Sequence, residues 1–476
     1  MVGGAAVVGL RGVPGGVAGL SQVVPDGVYS GDVDTAALQA AFTTGEFRVA
    51  VYGLGKMGLP LAAVFGDVTG NVVGADTDPD VVESVNRGDC HVTNEPGLKD
   101  LVAELTQEDA LSAVEEPERA ATDAAIHVLI VPTPITDDNE PDLSILEAAT
   151  RSVAAGLDPG DLVIVECTVP PGTTDGLVRE TLEAESGLEV GEFGLAFCPE
   201  RTASGRALED IRSAYPKVVG GVDETSRRVA ELLYEEITSA GVIPVSDART
   251  AEAVKVFEGL YRDVNIALAN ELARFTDEMG VDVREAIEVA NTQPFCEIHD
   301  PGPGVGGHCI PFYPYFMIEP FETEAPLLRT AREVNDAMPE FTVETLRREL
   351  EAEGTELSSA SVLLLGLTYR PGVEEIRGSP ALDVADHLNN ANAEVYGADP
   401  ILDDFEEFHL TPVATSELYE YDFDGIVVVT PHEKFEHISW TEVGRTGGAI
   451  VIDGRDAMNL SDTDHRVYSI GSGPDV

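Results

Sequence analysis

From Phe47 onward the chain alternates short, wholly apolar runs with longer stretches of helical period. Arg48-Val49-Ala50-Val51-Tyr52 predicts a buried strand, an apolar helix follows through Phe65, and Asn71-Val72-Val73-Gly74-Ala75 predicts a second strand. Val128–Val131, Leu162–Val165 and Leu195–Phe197 repeat the strand pattern. Then the period changes. Val254, Phe257, Tyr261, Val264, Leu268, Leu272, Phe275 and Met279 recur at spacings of three and four, an apolar stripe along roughly 40 Å of helix. So apolar a stripe predicts packing against other helices and a second subunit. A further set of strands, Ser361–Leu365, Glu394–Tyr396, Gly425–Val429 and Ala449–Ile452, alternates with helical stretches and predicts another α/β unit.

The pattern divides the chain into four parts. Residues 1–46, Gly- and Val-rich and then loosely helical around Thr35–Phe42, read as a poorly ordered extension; Arg11 and several glycines break any signal-peptide core. Residues 47–245 form a first α/β domain, 246–350 a central helical domain, and 351–476 a second α/β domain. The fold class is α/β, with two Rossmann-like doubly wound domains joined by a long central helix.

The first strand runs into Gly53-Leu54-Gly55-Lys56-Met57-Gly58, and the second ends at Asp76, 23 residues after the first glycine. Strand, GxGxxG, helix, strand and acid in this order predict a dinucleotide site. The glycines allow a tight turn and close approach of a pyrophosphate, the helix N-terminus favours its charge, and Asp76 would accept from a ribose 2′-OH, selecting NAD over NADP. Three other strands end in polar and proline-rich turns: Pro132-Thr133-Pro134, Glu166-Cys167-Thr168-Val169-Pro170-Pro171, and Cys198-Pro199-Glu200-Arg201. Ligands of doubly wound sheets sit beyond the strands' carboxyl ends, so the three outline one site. Turn chemistry alone explains any one of them.

Far downstream, Gly302-Pro303-Gly304-Val305-Gly306-Gly307-His308-Cys309 sets a thiol in a glycine-rich loop. Glycine offers no side-chain packing, so this cysteine is not core filler. A thiol beside a hydride-accepting cofactor suggests oxidation through a covalent sulfur adduct. The turn Gly366-Leu367-Thr368-Tyr369-Arg370-Pro371-Gly372 in the last domain lacks GxGxxG and suits a different nucleotide.

Composition narrows the class. The formal net charge is −57, from 86 acids against 29 lysines and arginines. Such a surface repels nucleic acid and anionic membranes, and its spread through periodic segments argues for a halophile's folded protein. No apolar run is long enough to span a membrane. The five cysteines are widely spaced without a CxxC pair, which argues against a disulfide framework or a metal site and for a reducing cytoplasm. Only five lysines occur, so Lys255, beside the apolar stripe, invites a functional reading.

The motifs YGLGKMGLPLA (52–62), VPTPI (131–135), ECTVPPGTT (166–174), CPERTASGRAL (198–208), AEAVK (251–255) with RDVNIALANELA (262–273), GPGVGGHCIP (302–311) and GLTYRPGVEEIRGSPAL (366–382) resemble the UDP-glucose/GDP-mannose dehydrogenase family over about residues 47–460. The resemblance implies an NAD-binding domain at 47–245, a central dimerisation domain carrying the cysteine loop at 246–350, and a UDP-binding domain at 351–476. It implies a homodimer oxidising the C6 alcohol of a UDP-sugar to a carboxylate with two NAD. By the same resemblance Cys309 is the nucleophile, passing through a thiohemiacetal and a thioester. Lys255 steadies the oxyanion, Glu200 is a base for the hydrolytic water, and Thr168 with Glu166 lies near nicotinamide and water. NAD contacts would come from Gly53, Gly55, Lys56, Met57, Gly58, Asp76, Thr133 and Thr168. Substrate contacts would come from Glu200, Arg201, Lys255, Arg262, Asn265, Gly306, Gly307, His308, Tyr369, Arg370 and Arg377.

Two positions depart from the family's pattern. Asn often stands four residues after the lysine, where this chain has Gly259, and Asp four residues after the cysteine, where it has Tyr313. An active subgroup with rearranged helpers, His308 or Tyr313, is the favoured reading; a non-catalytic nucleotide-sugar-binding protein is the alternative from another class. A two-electron β-hydroxyacid-type dehydrogenase is opposed by Cys309 and by the third module. His308 before the cysteine and Pro314-Tyr315-Phe316 after it resemble the UDP-N-acetylmannosamine/N-acetylglucosamine branch, placed ahead of UDP-glucose.

Overall fold

The computed structural model describes residues 27–30 and 34–474. The first domain carries an eight-stranded sheet. Its strands are β1 (Val49–Tyr52), β2 (Val72–Ala75), β3 (Leu111–Val114), β4 (Ile126–Leu129), β5 (Leu162–Val165), β6 (Gly194–Phe197), β7 (Lys217–Gly221) and β8 (Val242–Pro244). The order is β3-β2-β1-β4-β5-β6-β7-β8, parallel except where β7 runs against β6. All four residues of β1, β4, β5 and β6 are buried, as expected for strands covered by helices on both faces.

The second domain repeats the plan with β9 (Ser361–Leu365), β10 (Glu394–Ala398), β11 (Thr411–Pro412), β12 (Gly425–Val428), β13 (Ile450–Asp453), β14 (Arg466–Ser469) and β15 (Gly473–Pro474), ordered β11-β10-β9-β12-β13-β14-β15. Strand order reverses between β1 and β4, and again between β9 and β12, which opens a crevice at the same place in each sheet. The turns there share a device. Leu54 N donates to Asp76 Oδ2 at 2.8 Å, and Leu367 N donates to Asp399 Oδ2 at 2.8 Å. Each turn starts on a glycine with positive φ, Gly53 at +92° and Gly366 at +76°.

Part of the leader is structured. Residues 1–26 and 31–33 lie outside the described residues, but Thr35–Thr43 form a helix capped by Asp34, whose side chain accepts from Ala36 N and Ala37 N. This corrects the expectation of a poorly ordered extension for residues 34–46. Leu38, Ala41 and Phe42 are buried in the first core, with the Phe42 ring edge-on to Phe65 at 6.3 Å. Burial of three apolar side chains offsets the weak propensity of a nine-residue helix.

The domains are joined by a helix of 26 residues, Ala248–Ala273, capped by Asp247. It does not bury the apolar stripe read from the sequence. Phe257, Tyr261, Leu268, Phe275 and Met279 are exposed. The buried face carries Ala251, Lys255, Val256, Gly259, Asp263, Ala267, Asn270 and Ala273, and packs on the helix Pro326–Asp336. Small residues let the helices approach, and Asp263 Oδ1 accepts there from Arg332 Nη1 at 2.5 Å and Asn335 Nδ2 at 2.9 Å. No helix among the described residues is long and apolar enough to cross a membrane.

Candidate active site

At the end of β1 three glycines answer to three different constraints. A Cβ on Gly53 would lie 2.6 Å from Ile130 O, just past β4, and one on Gly58 only 1.9 Å from Gly53 O, so the first is closed by the neighbouring strand end and the second by the turn itself. Gly55 differs: a Cβ there would meet nothing within 4 Å. Its open side lies by the N-terminus of helix Gly58–Thr69, which has no side-chain cap. Asp76 is fixed by Leu54 N and, at 3.0 Å, by Asp78 N. Uncapped helix donors, an open cradle and an oriented carboxylate fit a dinucleotide, with pyrophosphate on the helix and a ribose on Asp76. Met57 Sδ lies 2.9 Å from Thr202 Oγ1. Lys56 turns away to Glu375 of the second domain, at 3.2 Å.

The cysteine loop is clamped between the central helix and the second domain. Gly302 N donates to Asn270 Oδ1 at 2.9 Å, and Arg455 donates to Gly304 O at 3.2 Å. Gly306 and Gly307 lie against Tyr369: a Cβ on Gly306 would be 2.8 Å from Gly378 O, and one on Gly307 would be 3.0 Å from the Tyr369 ring. These glycines serve close packing of the loop on the turn 366–378. Cys309 then starts a helical turn, its carbonyl accepting from Phe312 N at 3.2 Å and Tyr313 N at 3.0 Å.

Three strand ends and the central helix meet around Tyr313, against whose cluster Cys309 packs. Lys255, buried on the central helix, holds its Nζ 3.6 Å from Glu200 Oε2 and 5.8 Å from the Tyr313 ring centroid. Glu200 also accepts from the backbone N–H and hydroxyl of Thr202. Thr168 Oγ1 lies 3.2 Å from Tyr313 OH, and its carbonyl accepts from Thr133 Oγ1 at 2.6 Å. Cys309, Lys255, Glu200, Thr168 and Thr133, expected from separate motifs, therefore fall in one place.

The electrostatics favour a charged sulfur. Burial pushes the Cys309 thiol up, but hydrogen bonds from His308 and Tyr313, with the charges of His308 and Lys255, bring it below the ordinary thiol range. The hydrogen bond to Cys309 raises His308 in turn, against its burial. Burial opposes the Lys255 charge, yet Glu200 and the groups at Tyr313, Cys309 and Glu258 hold it above the usual lysine value. Burial raises the Tyr313 phenol, so it stays neutral.

Other expected contacts are placed differently. Arg201 is bound to Glu258, Nε to Oε2 at 3.1 Å, and to Pro216 O at 3.1 Å, over the Tyr215 ring. Asn265 pins the approach to the cysteine loop, donating to Glu297 O at 2.6 Å and accepting from His299 N at 2.9 Å. Arg262, Arg370 and Arg377 are exposed, with no ion pair among the described residues. Glu166, expected near water, is wholly buried with its carboxylate on Lys217 Nζ at 2.6 Å and on the Tyr234 hydroxyl. Burial raises its pKa while Lys217 and Tyr234 oppose the rise. Lys217 and Tyr234 were absent from the expected site set, and Tyr313 stood there only as one of two alternative helpers. The scarcity of lysine points to the first and the spacing from Cys309 to the last; Tyr234 left no signal, being one apolar-face position of an amphipathic helix (Glu224–Ile237). Among the described residues no cluster of three or more His, Cys, Asp or Glu could hold a metal ion.

Comparison with known proteins agrees with this architecture. Residues 47–238 match the NAD binding domain of the UDP-glucose/GDP-mannose dehydrogenase family, 249–337 its central domain and 363–460 its UDP binding domain. The chain is 38% identical to a UDP-N-acetyl-D-mannosamine dehydrogenase of Pyrococcus horikoshii, over 90% of this chain and 99% of that one. It is 34% identical to the protein of the same description from Methanocaldococcus jannaschii, over 90% and 97%. The solved Pyrococcus horikoshii structure superposes with a TM-score of 0.82 at 36% identity, over 90% of this chain and 99% of that one. A UDP-glucose dehydrogenase from Pyrobaculum islandicum gives 0.79 at 28% identity, over 90% and 98%. The chain belongs to the UDP-glucose/GDP-mannose dehydrogenase family, and is an NAD-dependent oxidoreductase acting on nucleotide sugars.

Proposed function

We propose that this chain oxidises the C6 alcohol of UDP-N-acetyl-D-mannosamine, or its N-acetylglucosamine counterpart, to the uronate. What supports the reaction is that Lys255 lies by Glu200, Thr168 by Tyr313, and Cys309 against the Tyr313 cluster, beyond the carboxyl ends of the first sheet. The sugar follows from the relatives described as UDP-N-acetyl-D-mannosamine dehydrogenases at 34–38% identity. UDP-glucose is the second reading, favoured by the similar Pyrobaculum islandicum fold.

NAD, held at Gly53–Gly58 and Asp76, supplies the hydride acceptor, two equivalents accounting for four electrons. The Cys309 thiolate donates its electron pair to the aldehyde carbon, forming a C–S bond while the carbonyl π pair moves to oxygen. Lys255 faces that oxyanion as a fixed buried cation. At the thioester stage Glu200 takes a proton from water, whose oxygen forms the new C–O bond as the C–S bond breaks and Cys309 leaves as thiolate. The exposed Arg370 and Arg377, on the turn that packs against the cysteine loop, face the diphosphate.

A second copy of the chain covers the exposed stripe Phe257, Tyr261, Leu268, Phe275 and Met279, making a homodimer. The protein works in the cytoplasm, where its five free thiols stay reduced. The substrate test is NADH formation in molar KCl with a panel of UDP-sugars. The N-acetylhexosamine sugars should give the highest kcat/KM. A clear preference for UDP-glucose would replace the first reading by the second, and tight UDP-sugar binding without turnover would make the chain a binding protein.

A further inference from the structure

Tyr313 lies at the reacting sulfur, yet neither the family description nor the motif set gives it a role. Its ring is buried in a small cluster with Val256 and Phe316, against which Cys309 packs. What admits the ring is Gly259 on the central helix. A Cβ at that glycine would lie 2.0 Å from Tyr313 Cδ2 and 2.9 Å from Cγ and Cε2. Residue 259 and the Tyr313 ring therefore compete for one space, and any side chain at 259 unseats the tyrosine. The two departures from the family's pattern are a single coupled change.

The seated ring delivers its hydroxyl to a defined place. Tyr313 OH is 3.2 Å from Thr168 Oγ1, and Cys309 packs against the cluster that holds the ring. The helical turn opened at Cys309 sets the two side chains side by side, with Tyr313 N donating to Cys309 O at 3.0 Å. Stacking on Phe316, 6.1 Å between centroids and 24° between planes, fixes the ring's tilt. A phenol in apolar packing beside a sulfur anion keeps its proton, so it serves as donor. With Thr168 O–H donating to Tyr313 O, the phenol's own proton is left available to Cys309 Sγ.

We propose that Tyr313 is a catalytic residue: seated in the space left by Gly259, its neutral hydroxyl holds Cys309 as an oriented thiolate and couples it to Thr168. No proton leaves the tyrosine in this role. As the sulfur electron pair forms the C–S bond, sulfur loses its charge and the Tyr313 hydrogen bond weakens, while the new charge grows on the carbonyl oxygen facing Lys255. Tyr313 adds direction to the sulfur from the buried side.

The proposal rests on Cys309 being the nucleophile, and its test separates the two. The rate of iodoacetamide alkylation at Cys309 is followed against pH by mass spectrometry, together with NADH formation, for wild type, Tyr313→Phe and Gly259→Asn. Tyr313→Phe keeps the ring and removes one hydrogen bond to a charged group, so the thiol pKa should rise by about one unit. Its kcat should fall roughly tenfold or more, with KM within about twofold, because the missing donor acts on the sulfur and not on substrate affinity. Gly259→Asn should give the same rise by unseating the ring, and the double variant should be no worse than the worse single. An unchanged alkylation profile and kcat in Tyr313→Phe would overturn the proposal. A thiol that titrates low and shifts in Tyr313→Phe, in a wild type making no NADH, would keep the tyrosine's role and remove the dehydrogenase reading.

Discussion

Gly55 and Gly58 sit in one turn and fail in different ways when replaced. Gly55→Ala meets no protein atom, so stability should stay within about 0.5 kcal/mol of wild type while NAD affinity falls more than tenfold, since the added methyl stands where a ligand approaches. Calorimetric titration with NAD beside a thermal melt checks both halves; a normal NAD affinity would contradict the placement. Lys217 and Glu166 supply a second residue-scale test. The ammonium lies 2.6 Å from a wholly buried carboxylate. Lys217→Met should cost about 3–5 kcal/mol at neutral pH by leaving that charge unpaired. Because burial already raises Glu166, and losing Lys217 raises it further, the deficit should shrink as pH falls and the carboxyl takes up its proton. Melts across pH 4.5–8 measure it, and a deficit that grows toward low pH would contradict the assignment. The glycine turn and Cys309 were legible in sequence because each is a local pattern. The fit of Tyr313 over Gly259 was not: it is a contact between a helix and a distant loop, visible only as two unexplained exceptions.

At the scale of elements, the central helix carries two stripes, and the sequence advertised the one that stays outside. Phe257, Tyr261 and Leu268 give the apolar period, whereas the face packed inside the protomer is built from alanine, glycine and paired polar groups. Hydropathy does not register such a face, because Asp263 becomes buriable only through Arg332 and Asn335 on another helix. Phe257→Asp with Leu268→Asp should therefore leave each protomer folded and convert the proposed dimer to monomer by light scattering on a sizing column. A variant that stays dimeric would place the subunit contact elsewhere. Strand cores were read within about two residues, since runs buried on both faces need no tertiary information. The last two strands of the first sheet were missed: β8, at its edge, has three residues, and β7 beside it ends in two glycines.

For the whole molecule, charge and architecture were both legible, the first by counting and the second from two sets of strands around a helix. What counting does not reveal is that the two lobes use the same turn, with Asp76 and Asp399 each holding the backbone of a glycine turn at 2.8 Å. A net charge of −57 makes salt part of the stability. The Debye length falls from about 10 Å at 0.1 M to about 3 Å at 1 M, so self-repulsion is screened between those concentrations. The melting temperature should rise by a few degrees between 0.1 and 2 M KCl, about a few kcal/mol for a chain of this size. A melt insensitive to KCl would contradict the reading of the surface.

The central claim is a four-electron oxidation carried by Cys309, and counting electrons tests it most directly. With limiting UDP-N-acetyl-D-mannosamine and excess NAD in molar KCl, wild type should yield two NADH per sugar, and Cys309→Ser should fail to reach that yield. A wild-type yield of one NADH per sugar, or a yield of two that survives loss of the thiol, would contradict it.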